Sequence, residues 1–263
     1  MTAGFHATDR AVLRISGAEA RDFLQNLVTN DLRGLETGAV YAALLTPQGK
    51  YLFDFFLVRD GETILVDVAA DRAEALARRL AMYRLRARVA VEATDLAVIL
   101  GIGAAPDVPL ARADPRLPEL GWRAYGADPD LILAGVTPLD PAALTALRVA
   151  HVVPETGIEL IPDESYILEM GFERLRGVDF RKGCYVGQEV TARMKHKTEL
   201  RKGLVRVTIA GAAPAPGTEI RSGEKPVGTL LTAVDGAGLA YLRFDRATGP
   251  LTAGEAEVIA ELP

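Results

Sequence analysis

Apolar positions along the chain recur first at helical and then at strand spacing. Phe23, Leu24, Leu27 and Val28 repeat every three to four residues, as one face of a helix does. Ser16-Gly17-Ala18-Glu19 ahead of them has the form of a capping box, so the pattern predicts a helix opening there and running to about Asn30. Residues 40–69 then change to apolar runs of strand length, 40–45, 51–58 and 63–68, joined by Pro47-Gln48-Gly49-Lys50 and Arg59-Asp60-Gly61-Glu62. Links this short return the chain alongside itself, which predicts an antiparallel meander. Asp71 and Glu74 open a second helix to about Tyr83, with Leu76, Leu80 and Tyr83 on its apolar side. Arg84, Arg86 and Arg88 then alternate with Leu85, Ala87 and Val89, the period of a half-exposed strand with a basic outer face.

Further short strands are expected at 96–100 and 131–133, with Pro106, Pro109, Pro115 and Pro118 marking the loops between them. Gly101-Ile102-Gly103 begins like a dinucleotide fingerprint, but Pro106 stands where the third glycine belongs and no helical pattern follows, which excludes a Rossmann unit. Asp140-Pro141 caps a helix to about Val149, and 154–172 is irregular. From Gly203 the pattern is all-β: 204–209, 219–221, 227–233, 238–244 and 257–259, set apart by turns such as Ser222-Gly223 and Asp235-Gly236. The expected class is therefore α+β, with antiparallel sheets and helices over 1–200 and a small C-terminal β-barrel domain over 201–263.

Composition narrows the function classes. The 263 residues are 49% hydrophobic and 25% charged, enough for a full core in one large or two moderate domains. No basic segment leads into an apolar run at the N-terminus and the apolar stretches are strand-sized, so neither export nor membrane association is expected, and a cytoplasmic location is. The one cysteine forms no internal disulfide and cannot by itself hold an iron–sulfur cluster, which commonly takes four thiolates. A metal site is not expected from the scattered His6, His151 and His196, and no HExxH, CxxC, P-loop or nucleophile-elbow motif occurs. Net charge is −5, yet residues 181–206 hold eight Lys or Arg against Glu189 and Glu199, which makes that stretch +6 and the remainder −11. A basic patch on an acidic protein points to an anionic ligand, or else to a solvated face; without interleaved aromatics beyond Tyr185, nucleic acid is not the expected partner.

Candidate chemistry concentrates in Lys182-Gly183-Cys184-Tyr185-Val186-Gly187-Gln188-Glu189. Two glycines give this stretch backbone freedom, and between and beside them stand a thiol, a phenol, an amide and a carboxylate. An aromatic face, a donor–acceptor amide and a carboxylate that accepts two parallel hydrogen bonds suit a pterin or a purine. From the residues alone the alternative is a tight hairpin with Cys184 packed in the core. Asp54, amid Phe53, Phe55 and Phe56, needs a partner or a reason, unless it lies on a solvent face near a strand end.

The string KGCYVGQE, continued by Val190-Thr191-Ala192-Arg193, resembles the signature of the YgfZ family, bacterial relatives of a mitochondrial iron–sulfur assembly factor. RDFLQNLVTNDL, with Gln25, Thr29 and Asp31, and Tyr83-Arg84-Leu85-Arg86 resemble further elements of that family. Ile167-Leu168-Glu169-Met170-Gly171 is similar to an element of the related T-protein of the glycine cleavage system, whose Glu reads the pterin. The resemblance implies a T-protein-like folate-binding body with tetrahydrofolate as ligand. It makes Cys184 and Asp54 the candidate catalytic groups, and Glu169, Tyr185, Gln188, Glu189, Arg193 and Lys182 the candidate folate-binding ones, with Glu169 the preferred pterin carboxylate and Glu189 second. Arg193, Lys195, Lys197 and Arg201 in the basic stretch would receive the anionic glutamate tail of the folate, or an acidic partner. The implied function is assembly or repair of iron–sulfur proteins, with Cys184 offered to a client or an A-type carrier; the alternative is a folate-dependent one-carbon transferase using Asp54. Where the T-protein has Gly-Gly-x-x-Asp-Asp this chain has Gln48-Gly49 and one acid, Asp54, a departure that counts against aminomethyl transfer.

Overall fold

The computed structural model describes residues 2–197 and 199–263, Lys197 by its backbone alone. The expected meander is there as Val40–Leu45, Tyr51–Asp60 and Thr63–Ala69, each antiparallel to the next. Arg10–Ser16 and Ala90–Ala93 complete a five-stranded sheet beyond the third of these strands. Phe55, Leu57 and Val66 on one face share a core with Leu24 of helix Ala20–Gln25 and with Leu76 and Leu80 of helix Ala70–Arg84. On the other face Val12, Val58 and Leu65 meet Val98 and Tyr125 of a second sheet, ordered Thr137–Pro138, Ala3–His6, Ala97–Ile102, Trp122–Gly126, Arg112–Ala113. Burial on both faces is why Tyr51–Asp60 reads as a nearly unbroken apolar run instead of an alternation.

That second face also encloses charge. Asp67 accepts from Arg10 Nε at 2.7 Å, Arg123 Nη1 at 2.6 Å and Tyr125 OH at 3.0 Å, while Arg116 grips Asp114 through two nitrogens at 3.0 and 2.8 Å. The Arg123 guanidinium lies 3.5 Å from the Phe56 ring centroid. Each of these buried ions has an oppositely charged partner, although Arg123 Nε, 3.8 Å from Asp114 Oδ2, makes no hydrogen bond among the described residues, and removing one partner would strand the other.

Several elements differ from the sequence reading, each because a distant contact overrides a local pattern. The first helix is only Ala20–Gln25; Ser16 ends a strand, and Glu19 accepts from the Arg88 amide at 2.7 Å instead of capping. Gly17 takes φ +110° where a Cβ would lie 2.1 Å from the Arg88 carbonyl, and past Gln25 the chain is drawn to the sheet by the Val28–Leu44 bridge and the Thr29 N–H to Ala43 O bond at 3.0 Å. Residues 84–89 are no strand: the helix ends at Arg84, Leu85 turns at φ 44° with its side chain 89% exposed, and pairing begins only at Ala90. Residues 131–133 lie in helix Pro129–Leu133, capped by the Asp128 carboxylate with Pro at the first position, a start signal stronger than the apolar run.

The chain divides into two compact units, the first being residues up to Pro141 with Glu173–Gln188, the second Ala142–Phe172 with Glu189–Pro263. The second unit carries a closed six-stranded barrel, Lys202–Ala210, Ala237–Arg243, Lys225–Val234, Glu219–Ser222, Leu251–Ala253 and Ala256–Ala260, whose last strand pairs back onto the first. Asp235 and Gly236, both at positive φ, make the two-residue turn of its longest hairpin, as their sequence suggests. Val207, Leu230 and Leu242 fill its core. In the same unit the irregular 154–172 segment is held by buried Glu159, which accepts from Thr232 Oγ1 at 2.5 Å, Glu155 N at 2.9 Å and Arg148 Nη1 at 3.3 Å.

Candidate functional site

The cysteine loop belongs to the first unit and is tied there to the N-terminal helix and its exit turn. Thr29 Oγ1 donates to Gly177 O at 2.6 Å and accepts from Ala43 N at 2.8 Å, so one hydroxyl joins the sheet to the segment leading into the loop. Asn30 Nδ2 donates to Arg176 O at 2.6 Å and Tyr41 O at 2.7 Å, and Asp179 N donates to Thr29 O at 3.0 Å. Gln25 Oε1 accepts from Leu32 N at 2.9 Å. Gln25 and Thr29 thus act as scaffold, and Asp31 caps the short 3-10 helix Leu32–Glu36 through Arg33 N.

Lys182 then reaches back. Its Nζ donates to the carbonyls of Gln25 and, at 2.5 Å, Val28, where the helix leaves backbone acceptors without intrahelical partners. Burial lowers the Lys182 pKa to about 8, against the opposing pull of Asp31 and Asp179. The ammonium also stands 5.4 Å from the Tyr185 ring. Lys182 is therefore an anchor of the loop, with its charge committed to main-chain oxygens.

At the far end of the loop, Gly187 has φ +84°, and a Cβ there would lie 2.6 Å from Thr46 O and 3.0 Å from Leu45 Cβ. Only glycine lets the chain lie that close to the hairpin turn. Gln188 Oε1 accepts from Tyr185 N at 3.1 Å while Gln188 N donates to Tyr185 O at 3.3 Å, a reciprocal pair that starts helix Gln188–Lys197. Tyr185 is only 7% exposed, so the open aromatic face expected of it is absent, and the amide expected to read a ligand serves the helix start. Between these fixed points, with Gly183 at φ +100° in open space, Cys184 is exposed instead of packed in the core.

Asp54 is not on a solvent face. It is 6% exposed, with Oδ2 accepting from Tyr41 OH at 2.9 Å and Oδ1 from Tyr51 OH at 2.8 Å. Burial, then the Asp54 charge, raises the Tyr41 phenol well above its ordinary range, so that hydroxyl stays a donor.

Glu169 belongs to the second unit. It is 8% exposed; its Oε2 accepts from Tyr241 OH at 2.5 Å and lies 3.8 Å from Lys202 Nζ, and no hydrogen bond within the chain reaches Oε1 among the described residues. Burial, and after it the bond to Glu169, raises the Tyr241 pKa well beyond the usual tyrosine range. Glu189 is exposed in the first turn of helix Gln188–Lys197, and Arg193 is exposed one turn on. Of the basic stretch, Arg206 pairs with Glu261 and Lys202 stands beside Glu169, while the Lys197 side chain and Thr198 lie outside the described residues.

The structure thus gathers Lys182, Cys184, Tyr185 and Gln188 in one loop, and sets Glu169 among barrel residues that the sequence did not single out, Tyr241 and Lys202. Alternation along Gly238–Phe244 could have marked Tyr241 as facing away from the barrel core, but nothing local names its partner. A cleft of about 540 Å³ in the first unit holds none of the candidates; it is lined by residues including Arg21, Glu36 and Arg59, and both arginines pair with Glu36.

The architecture is that of the glycine cleavage aminomethyltransferases. The crystal structure of glycine cleavage system aminomethyltransferase T from Bartonella henselae matches with a TM-score of 0.80 over 98% of this chain and 84% of that one, at 16% identity, a likeness of fold alone. Residues 201–263 match the family described as CAF17, C-terminal beta-barrel domain. The mouse mitochondrial iron-sulfur cluster assembly factor IBA57 is 31% identical over 284 residues, which cover 94% of this chain and 79% of that protein. Its homolog from Mycosarcoma maydis is 31% identical over 78% of this chain, which spans 57% of that longer protein. The chain belongs to the family of the iron-sulfur cluster assembly factor IBA57. Both relatives are named as mitochondrial, and that finding overturns the cytoplasmic location expected from the sequence.

Proposed function

We propose that this chain is a tetrahydrofolate-binding protein of the YgfZ type that assists assembly or repair of iron–sulfur proteins, with Cys184 as the group it offers to a partner. The observation that carries the reading is an exposed thiol on a loop pinned by Lys182 at one end and Gly187 at the other. A buried structural cysteine would not need such a mount. A single thiolate leaves the remaining positions of a cluster to another protein, so a cysteine-bearing carrier of A type, or the client itself, is the partner this chemistry asks for.

Tetrahydrofolate fits the donor set of the second unit. The pterin ring N–H and exocyclic amine form a paired donor edge, and Glu169 is a buried carboxylate with one oxygen that no hydrogen bond from the described residues reaches. Bound tetrahydrofolate supplies nitrogens able to carry a one-carbon unit. The chain's contribution is then recognition: Glu169 meets the donor edge, and exposed Arg193 supplies positive charge for the glutamate tail. Asp54, the acid a one-carbon transferase would use, has both oxygens engaged by tyrosine hydroxyls and is poorly placed to serve a folate amine.

Calorimetry with tetrahydrofolate followed by a one-carbon transfer assay on the same protein tests the reading, with binding and no transfer the expected result. Transfer that is lost in Asp54→Asn would overturn it in favour of the transferase. Cys184→Ser is expected to keep the fold and fail to restore iron–sulfur enzyme activity in cells lacking the protein, and full restoration would remove Cys184 from the mechanism.

A further inference from the structure

Glu169 is held by the barrel twice. Its carbonyl accepts from Leu204 N at 2.8 Å, and Gly203 leaves room for this approach, since a Cβ there would lie 2.8 Å from the same oxygen. Leu204 pairs across strands with Tyr241, and it is the Tyr241 hydroxyl that donates to the Glu169 carboxylate. Neighbours of Tyr241 in the strand, Ala240 and Leu242, point into the barrel core, so Tyr241 stands on the outer face with Leu204. Lys202, two residues before Leu204 on that face, sets its ammonium 3.8 Å from the same carboxylate oxygen and 5.4 Å from the Tyr241 ring. Main chain and side chain of one acidic residue are thus fixed by adjacent positions of one strand pair.

A glutamate carboxylate otherwise turns broadly about its last torsion. A flat donor edge is met bidentately only when both carboxylate oxygens lie in its plane, and Oε2 keeps a second lone pair after accepting from Tyr241. We infer that Tyr241 is a positioning residue for pterin recognition: its hydroxyl fixes the plane of the Glu169 carboxylate, so that the barrel, and not only the folate-binding body, sets selectivity for the pterin edge. Lys202 adds charge compensation from too far away to fix the plane. The inference rests on the folate reading above and goes beyond it in naming a barrel residue that makes the site selective.

The test is a double-mutant cycle read by calorimetry with two probes, tetrahydrofolate and an analogue lacking the 2-amino group. Tyr241→Phe is expected to weaken tetrahydrofolate binding about tenfold while leaving the analogue within about twofold, and to add nothing in a Glu169→Gln background. A ring placed only for packing would leave the ratio of the two affinities unchanged, because phenylalanine preserves it. Lys202→Met, which keeps the stem, is expected to lower both affinities alike by a few fold and serves as the second variant. Wild-type protein that fails to bind tetrahydrofolate overturns the folate reading itself. Wild-type binding that is lost in Glu169→Gln but unchanged, with unchanged selectivity, in Tyr241→Phe overturns the role of Tyr241 alone.

Discussion

Two buried carboxylates, Asp54 between the sheets of the first unit and Glu169 against the barrel of the second, are almost equally shielded from water, at 6% and 8% exposure. Both accept from tyrosine hydroxyls. Asp54 has a phenol on each oxygen, whereas Glu169 has one phenol and one ammonium on the same oxygen and nothing from the described chain on the other. Burial alone therefore says little about what an acid is for; the count of acceptor positions left open by the fold says more. Asp54 is closed within the sandwich, and Glu169 keeps one oxygen that the described chain leaves open.

The contrast breaks most plainly in stability. Asp54→Ala removes the acceptor shared by two buried hydroxyls and is expected to cost about 3 kcal/mol in urea unfolding, while Glu169→Ala costs about 1 kcal/mol, because it leaves behind one half-buried phenol and a Lys202 ammonium exposed enough for water to solvate. Equal losses would mean that the open oxygen of Glu169 is an illusion. Next in size is binding: Glu169→Gln should weaken tetrahydrofolate by about 1.5–3 kcal/mol and Asp54→Asn by nothing measurable, both by calorimetry. If Glu189→Gln abolishes binding and Glu169→Gln does not, the exposed carboxylate reads the pterin instead.

A smaller effect sharpens the picture outside the buried acids. Neutral substitutions at exposed Arg193, Lys195 and Arg201 should each remove about 0.5–1 kcal/mol of the preference for a polyglutamylated folate over a pterin without the tail, and moderate salt should do the same. Retention of the full preference would reassign the basic stretch to a protein partner. Smallest is a pH effect at Lys182. Its folded pKa, about 8, lies below the unfolded value, so the cost of holding it charged is full below pH 8. That cost is relieved between about pH 8 and 10.5, where the unfolded chain keeps a proton the folded one has lost. Stability of the wild type should rise across this window relative to Lys182→Met, by urea midpoints at matched pH; parallel curves would show that the ammonium is not desolvated by its carbonyl seat.

What the sequence disclosed depended on how local the cause was. The meander and the barrel hairpins were readable because strand period and glycine-bearing turns sit in consecutive residues, as at Asp235-Gly236. The loop of Cys184 was readable because Gly183 and Gly187 bracket it. The burial of Tyr185 was not, and neither was the reach of Thr29 to Gly177, because those outcomes are decided by how the folded chain packs and not by neighbouring residues. Tyr241 belongs to the same class: its neighbours say barrel, and only the folded chain says Glu169.

The Thr29 to Gly177 bond joins residues 148 apart, and Asn30 reaches Arg176 over 146. On a ribosome adding about 5–20 residues per second, the first helix and its turn would wait roughly seven to thirty seconds for the stretch of chain that completes them. Throughout that interval the carbonyls of Gln25 and Val28 have no lysine to cap them and the sheet has an unfilled seam. The thiol can be mounted only after most of the polypeptide has been made, so a nascent or prematurely ended chain would present the meander without the cysteine, a built-in order of events in which the exposed thiol comes late.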